Sequence, residues 1–111
     1  MAKPIHVNDE NFEQEVLQSP KPVMVDFWAA WCGPGRALAP VVEALAVEYD
    51  GQVRFAKLDV DENSERALTY RVPGIPTLIL FFGGREIGRF VGYMSKELLA
   101  RKLEAALPGV S

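Results

Sequence analysis

The chain has 111 residues, 49% of them apolar and 24% charged, which suits one compact unit spanning 1–111 and excludes an intrinsically disordered chain. Its net charge is −3, and Lys and Arg are interleaved with Asp and Glu, so no basic surface for nucleic acid is expected. The longest apolar runs, Val23 to Ala30 and Ile75 to Phe82, are too short to span a bilayer, and no membrane role is expected.

Ile5 to Val7 reads as a short edge strand. Asn8 or Asp9 stands where a cap would open a first helix reaching Leu17, with Phe12 and Val16 on its apolar face. Ser19, Pro20 and Pro22 stop that helix and set up an extended segment. Val23 to Trp28 is rich in strand formers and lacks polar alternation, the pattern of a central strand covered on both faces. From Pro34 to Tyr49, the residues Leu38, Val42, Leu45 and Tyr49 recur at helical spacing and give one buried stripe. Pro40 falls inside this helix and should kink it, because it lacks the N–H that would bond residue 36.

Asp50-Gly51 ends the element. Val53 to Asp59 is another strand and Asn63 to Tyr70 a short polar-faced helix. Thr77 to Phe82 then runs into Gly83-Gly84, a hairpin signal, before a strand from Glu86 to Val91. Ser95 caps a last helix in which Leu99, Leu103 and Leu107 are spaced by four. The crossover helices demand parallel pairing among the early strands, and the Gly-Gly turn demands an antiparallel pair. A mixed sheet with helices on both faces satisfies both.

The chemistry concentrates in Trp28-Ala-Ala-Trp31-Cys32-Gly33-Pro34-Gly35-Arg36. A strand ends near Trp28 and a helix begins near Pro34, so Cys32 falls at a helix N-terminus. Unpaired backbone N–H groups and the helix dipole stabilise a thiolate at such a position, and Arg36, one turn in, adds positive potential. Cys32 is therefore expected to be an exposed, reactive thiol, against the plainer reading of a buried structural cysteine. It is the one cysteine of the chain, so no internal disulfide can form. A cysteine-poor chain whose opening residues lack the apolar region of a signal peptide is expected in the cytoplasm.

The segment Val25-Asp26-Phe27-Trp28-Ala29-Ala30-Trp31-Cys32-Gly33-Pro34 resembles the active-site signature of the thioredoxins. The likeness extends along essentially the whole chain, through Lys57, the Val72-Pro73-Gly74-Ile75-Pro76-Thr77 turn, Gly84 and Gly92. It implies an α/β thioredoxin-like fold, a central mixed sheet of about five strands flanked by about four helices. It further implies thiol–disulfide oxidoreductase activity on disulfide-bearing proteins, with a thioredoxin-reductase-like or other external reductant as partner, and no cofactor.

Through the resemblance, Cys32 is similar to the attacking thiol, in the setting of Gly33 and Pro34. Asp26 looks like the buried acid that helps move protons, and Lys57 like the cation that opposes the rise of its pKa. Pro76 resembles the family's cis proline facing the thiol. Trp31, Gly74, Ile75 and Gly92 resemble a shallow apolar substrate surface, with the backbone near Ile75 pairing to an extended peptide. Trp28 and Pro40 are assigned structural support.

The family pattern is Cys-Gly-Pro-Cys, and this chain has Gly35 in place of the second cysteine. A dithiol reduces a disulfide in two steps, attack by the first thiolate and release by the second. Gly35 has no sulfur, so intramolecular turnover is expected to be lost. Three readings stand at this point. One is a thioredoxin-type site whose resolving cysteine has been replaced. Another is a single-thiol variant resolved by an external thiol. The last is a non-catalytic peptide-binding module, or a dimer joined through Cys32 by a disulfide or a shared iron–sulfur cluster. One cysteine and His6 cannot supply four ligands, so no intrachain metal site is expected and the chain is read as a monomer unless Cys32 joins two copies.

Overall fold

The computed structural model describes residues 3–109. Its frame is a five-stranded sheet: β1 (Ile5–His6), β2 (Val23–Trp28), β3 (Arg54–Asp59), β4 (Thr77–Phe82) and β5 (Arg85–Val91), in the spatial order β1-β3-β2-β4-β5. β3 pairs in parallel with both β1 and β2, whereas β4 is antiparallel to β2 and to β5. The mixed sheet expected from the order of elements is thus present.

β2 occupies the middle position because its residues are apolar on both faces. Val23, Val25 and Phe27 join one core cluster with Val7, Phe12, Val16, Leu58 and Phe81. Met24 faces the other cluster, built from α1 (Gly33–Glu48) and α3 (Lys96–Ala106), where it meets Leu38, Val42, Leu45, Leu99 and Leu103. Strand side chains alternate between faces, so Asp26 projects toward the same side as Met24.

α1 runs without interruption through Pro40, whose position is solvent-exposed. α3 opens on Ser95, whose hydroxyl accepts a hydrogen bond from the Leu98 N–H at 3.2 Å. Gly83 and Gly84 have φ of +64° and +79°, the positive values that a two-residue hairpin turn demands of both central residues.

The first helix differs from expectation. It is a five-residue π-helical segment, Glu13–Leu17, closed by the Gln18 N–H bonding to the Glu13 carbonyl at 2.9 Å. Phe12 and Val16 are buried as expected. Asn8 caps locally, accepting from the N–H groups of Glu10 and Asn11. Asp9 does not cap its own segment. Its carboxylate accepts from the N–H groups of Glu65 and Arg66 at 3.1 and 3.0 Å, so it caps α2 (Ser64–Thr69) from 56 residues away.

α2 ends in a Schellman motif. The Arg71 N–H bonds to the Leu68 carbonyl and the Val72 N–H to the Ala67 carbonyl, with Arg71 at φ +51° in the left-handed position that glycine usually fills. The carbonyls of Tyr70 and Arg71 that follow are taken up by the guanidinium of Arg89 on β5.

Candidate active site

Cys32 is the residue immediately before α1, with extended backbone angles (φ −90°, ψ 110°) and a carbonyl that accepts from the Arg36 N–H at 3.0 Å. Gly33 and Pro34 fill the first two helical positions. Proline fits there because its missing N–H would have no helical partner. The Cys32 N–H is held by the Ala29 carbonyl at 3.1 Å, and Arg36 donates to the Ala30 carbonyl at 2.9 Å. Arg36, expected only to add positive potential, thus also clasps the loop that carries the thiol.

The expectation of an exposed thiol is corrected. Cys32 is only 7% exposed, because the segment before β4 folds over it and brings the Ile75 carbonyl within 3.4 Å of Sγ. No local pattern near residue 32 announces a cover supplied by a residue 43 positions later. The Ile75–Pro76 peptide is cis, and the Pro76 carbonyl accepts from the Gly92 N–H at 2.8 Å. Cys32, Ile75, Pro76 and Gly92, predicted as members of one site, are therefore linked in sequence by these contacts. Gly74 lies beside them, and its carbonyl accepts from the Thr77 hydroxyl.

Trp31 is 68% exposed. Its indole N–H donates to Asp61 at 3.1 Å, and Asp61 is held in an Asx-type turn by its own N–H bonding to Asp59. Sequence reading missed Asp61. The Asp59-Val60-Asp61 spacing after a strand is the signal that marks such a turn. Val91 and Tyr93, either side of Gly92, are also more than half exposed.

On the sheet, Asp26 lies opposite Lys57 on β3 and Leu78 on β4. Its side chain is fully buried, and neither carboxylate oxygen has a hydrogen-bond partner among the described residues. Burial therefore pushes its pKa from 3.8 up to about 7, and the charge of Lys57 works against the rise without cancelling it. Lys57 places its ammonium 4.4 Å from the centre of the Trp28 ring. That contact accounts for Trp28, which is half-buried beside the site.

Gly35 is buried in the first turn of α1. A Cβ built there would stand 3.5 Å from both Cβ and Sγ of Cys32, and 3.9 Å from the Ala29 carbonyl. A Cβ···Cβ separation of about 3.5–4.5 Å is that of disulfide-bonded cysteines. The backbone at 32 and 35 thus has the spacing of a disulfide-forming pair, with one of the two sulfurs missing. Among the described residues no group of three or more His, Cys, Asp or Glu converges on a possible metal position. No helix of the described residues is long and apolar enough to cross a membrane.

A thiol at a helix N-terminus, beside a cis Ile75–Pro76 peptide on a mixed sheet flanked by helices, is the arrangement of a thioredoxin-like fold. The chain belongs to the thioredoxin family, whose family model matches residues 3–105. It is 45% identical over 107 residues to thioredoxin 1 of Nostoc sp., covering 96% of this chain and 100% of that protein. It is 48% identical over 107 residues to the thioredoxin of Mycobacterium tuberculosis, covering 96% of this chain and 92% of that one. The bifunctional thioredoxin reductase/thioredoxin of Mycobacterium leprae is 49% identical over 107 residues, 96% of this chain, which spans only 23% of that longer protein. The chemistry of the family is thiol–disulfide exchange on disulfide substrates.

Proposed function

We propose that the chain works as one thioredoxin-like domain that performs the first half of disulfide exchange and lacks the second. The observation that carries this reading is the 3.5 Å approach of a Cβ at position 35 to the Cys32 sulfur, a two-cysteine frame holding one thiol. The Cys32 thiolate attacks one sulfur of a substrate disulfide. A Cys32–substrate bond forms, the substrate S–S bond breaks, and the other substrate sulfur leaves as a thiolate that takes up a proton. Asp26, holding its proton up to about pH 7, is suited to exchange it near neutrality. Trp31, Gly74, Ile75 and Gly92 supply the peptide-binding surface. Pro76 rigidifies its edge, and Gly33 and Pro34 set the helix start.

Release of the mixed disulfide then falls to an outside thiol. A reductase-linked or small-molecule thiol supplies it, consistent with a cytoplasmic, reducing setting. The substrate's own freed thiol can also re-attack, which returns the starting materials. A substrate whose leaving thiol diffuses away avoids that reversal.

The test is to mix the protein with a peptide joined by a disulfide to a chromogenic thiol. One equivalent of chromophore should be released with a stable Cys32–peptide adduct seen by mass spectrometry, and no further turnover. In Gly35→Cys the adduct should instead resolve without added thiol, releasing the peptide thiol and leaving an internal disulfide between positions 32 and 35. No adduct with the parent chain would overturn the reading in favour of a structural cysteine.

A further inference from the structure

We infer that Arg89, on the edge strand β5, is a positioning residue for the thiol site. It acts by clamping the start of the segment that carries Ile75 and Pro76. The inference rests on the reading above, in which the Ile75 backbone receives a peptide substrate.

The segment from Tyr70 to Pro76 crosses from the end of α2 to β4 and covers Cys32. β5 and the residue just after it grip it at both ends. At the far end, the Gly92 N–H bonds to the Pro76 carbonyl at 2.8 Å. At the near end, Arg89 donates to the Tyr70 carbonyl at 2.6 Å and to the Arg71 carbonyl at 3.2 Å. The same guanidinium is oriented by a bidentate pair with Glu86, at 2.7 and 2.8 Å. That pairing holds the Glu86 carboxylate below its usual range and fixes the plane of the fork.

This end needs a clamp. Arg71 sits in the left-handed region without being glycine, a conformation that persists only where surrounding contacts over-determine it. The carbonyls of a helix C-terminus are also short of partners, and a guanidinium there satisfies them and complements the helix dipole. If the near end loosens, the error is carried along the few residues to Ile75. There the carbonyl stands 3.4 Å from the Cys32 sulfur. Arg89 touches neither substrate nor thiol and acts only through that placement.

The experiment compares two reactions of Cys32 in the parent chain, Arg89→Gln and Arg89→Lys. One is alkylation by iodoacetamide, which makes no use of the Ile75 backbone for peptide pairing. The other is exchange with the peptide–chromophore disulfide. There the thiolate forms a bond to the peptide sulfur, and the chromogenic thiolate leaves with the electron pair of the broken S–S bond. The ratio of the peptide rate to the iodoacetamide rate should fall about three- to tenfold in Arg89→Gln. It should recover in part in Arg89→Lys, which keeps one donor. An unchanged ratio in Arg89→Gln overturns the inference, whether or not its melting temperature falls. If Cys32 of the parent chain fails to react with the peptide disulfide at all, the functional reading fails instead.

Discussion

Replacing Asp26 by an asparagine isolates one titration in the core. The carboxyl is fully buried without a hydrogen-bond partner among the described residues, and its pKa rises from 3.8 to about 7. Below pH 3.8 the folded and unfolded chains both hold the proton, and the group imposes no penalty. Between 3.8 and about 7 the folded chain keeps a proton that the unfolded chain has released. Stability then falls with pH, by about 1.4 kcal/mol for each pH unit. Above about pH 7 the folded carboxyl ionises too, and the accumulated loss levels off at about 4 kcal/mol.

The amide of the Asp26→Asn variant does not titrate, so the variant lacks this loss while keeping every other carboxylate of the chain. Urea denaturation of both proteins from about pH 4 to about pH 9 separates the two contributions. The stability of the variant relative to the parent should climb by about 4 kcal/mol across that range and flatten above about pH 7–8. Lys57→Met removes the opposing charge and should move the plateau to higher pH. A relative stability that does not vary with pH would refute the reasoning, because it would mean that Asp26 titrates alike in the folded and unfolded chains.

Two further outcomes follow from backbone positions. Gly35→Ala should raise stability by about 0.5–1 kcal/mol, seen as a higher melting temperature, because the site is helical and a Cβ meets only ordinary contacts. It should restore no turnover, and a lower melting temperature would contradict the space described around Cys32. Arg71→Gly should stabilise by up to about 1 kcal/mol in urea denaturation, since its φ of +51° suits glycine. A loss would show that the Arg71 side chain contributes more than its backbone costs.

The strands with continuous apolar, β-branched or aromatic runs were fully legible. Val23–Trp28 and Thr77–Phe82 are found at the bounds read from the sequence, since burial on both faces leaves only one arrangement for such residues. Leu99 and Leu103 of the last helix and the Gly83-Gly84 turn were legible for the same local reason, whereas Leu107, expected in that helix, falls just past its end with extended backbone. The departures at the site are long-range. Asp9 looks like a cap for the residues after it, yet it serves α2, because a side chain is free to satisfy whichever unpaired N–H groups the fold brings near. Cys32 looks exposed from its place at a strand–helix junction beside Gly33-Pro34, while its cover comes from Ile75. Arg89 has no motif of its own at all, and only the folded chain shows which carbonyls it holds.

The position of a residue-35 Cβ, 3.5 Å from the Cys32 sulfur, also bears on timing. A thiol carried on that Cβ would act at the very high effective concentration of an oriented neighbouring group, which reaches about 10⁵ M or more. The covalent complex would then last only as long as the protein's own geometry allowed. With Gly35 in place, separation becomes a collision between the complex and a free thiol. On the proposed reading, the lifetime of the complex is set by the surrounding solution, and it lengthens in proportion as that solution becomes poorer in thiols.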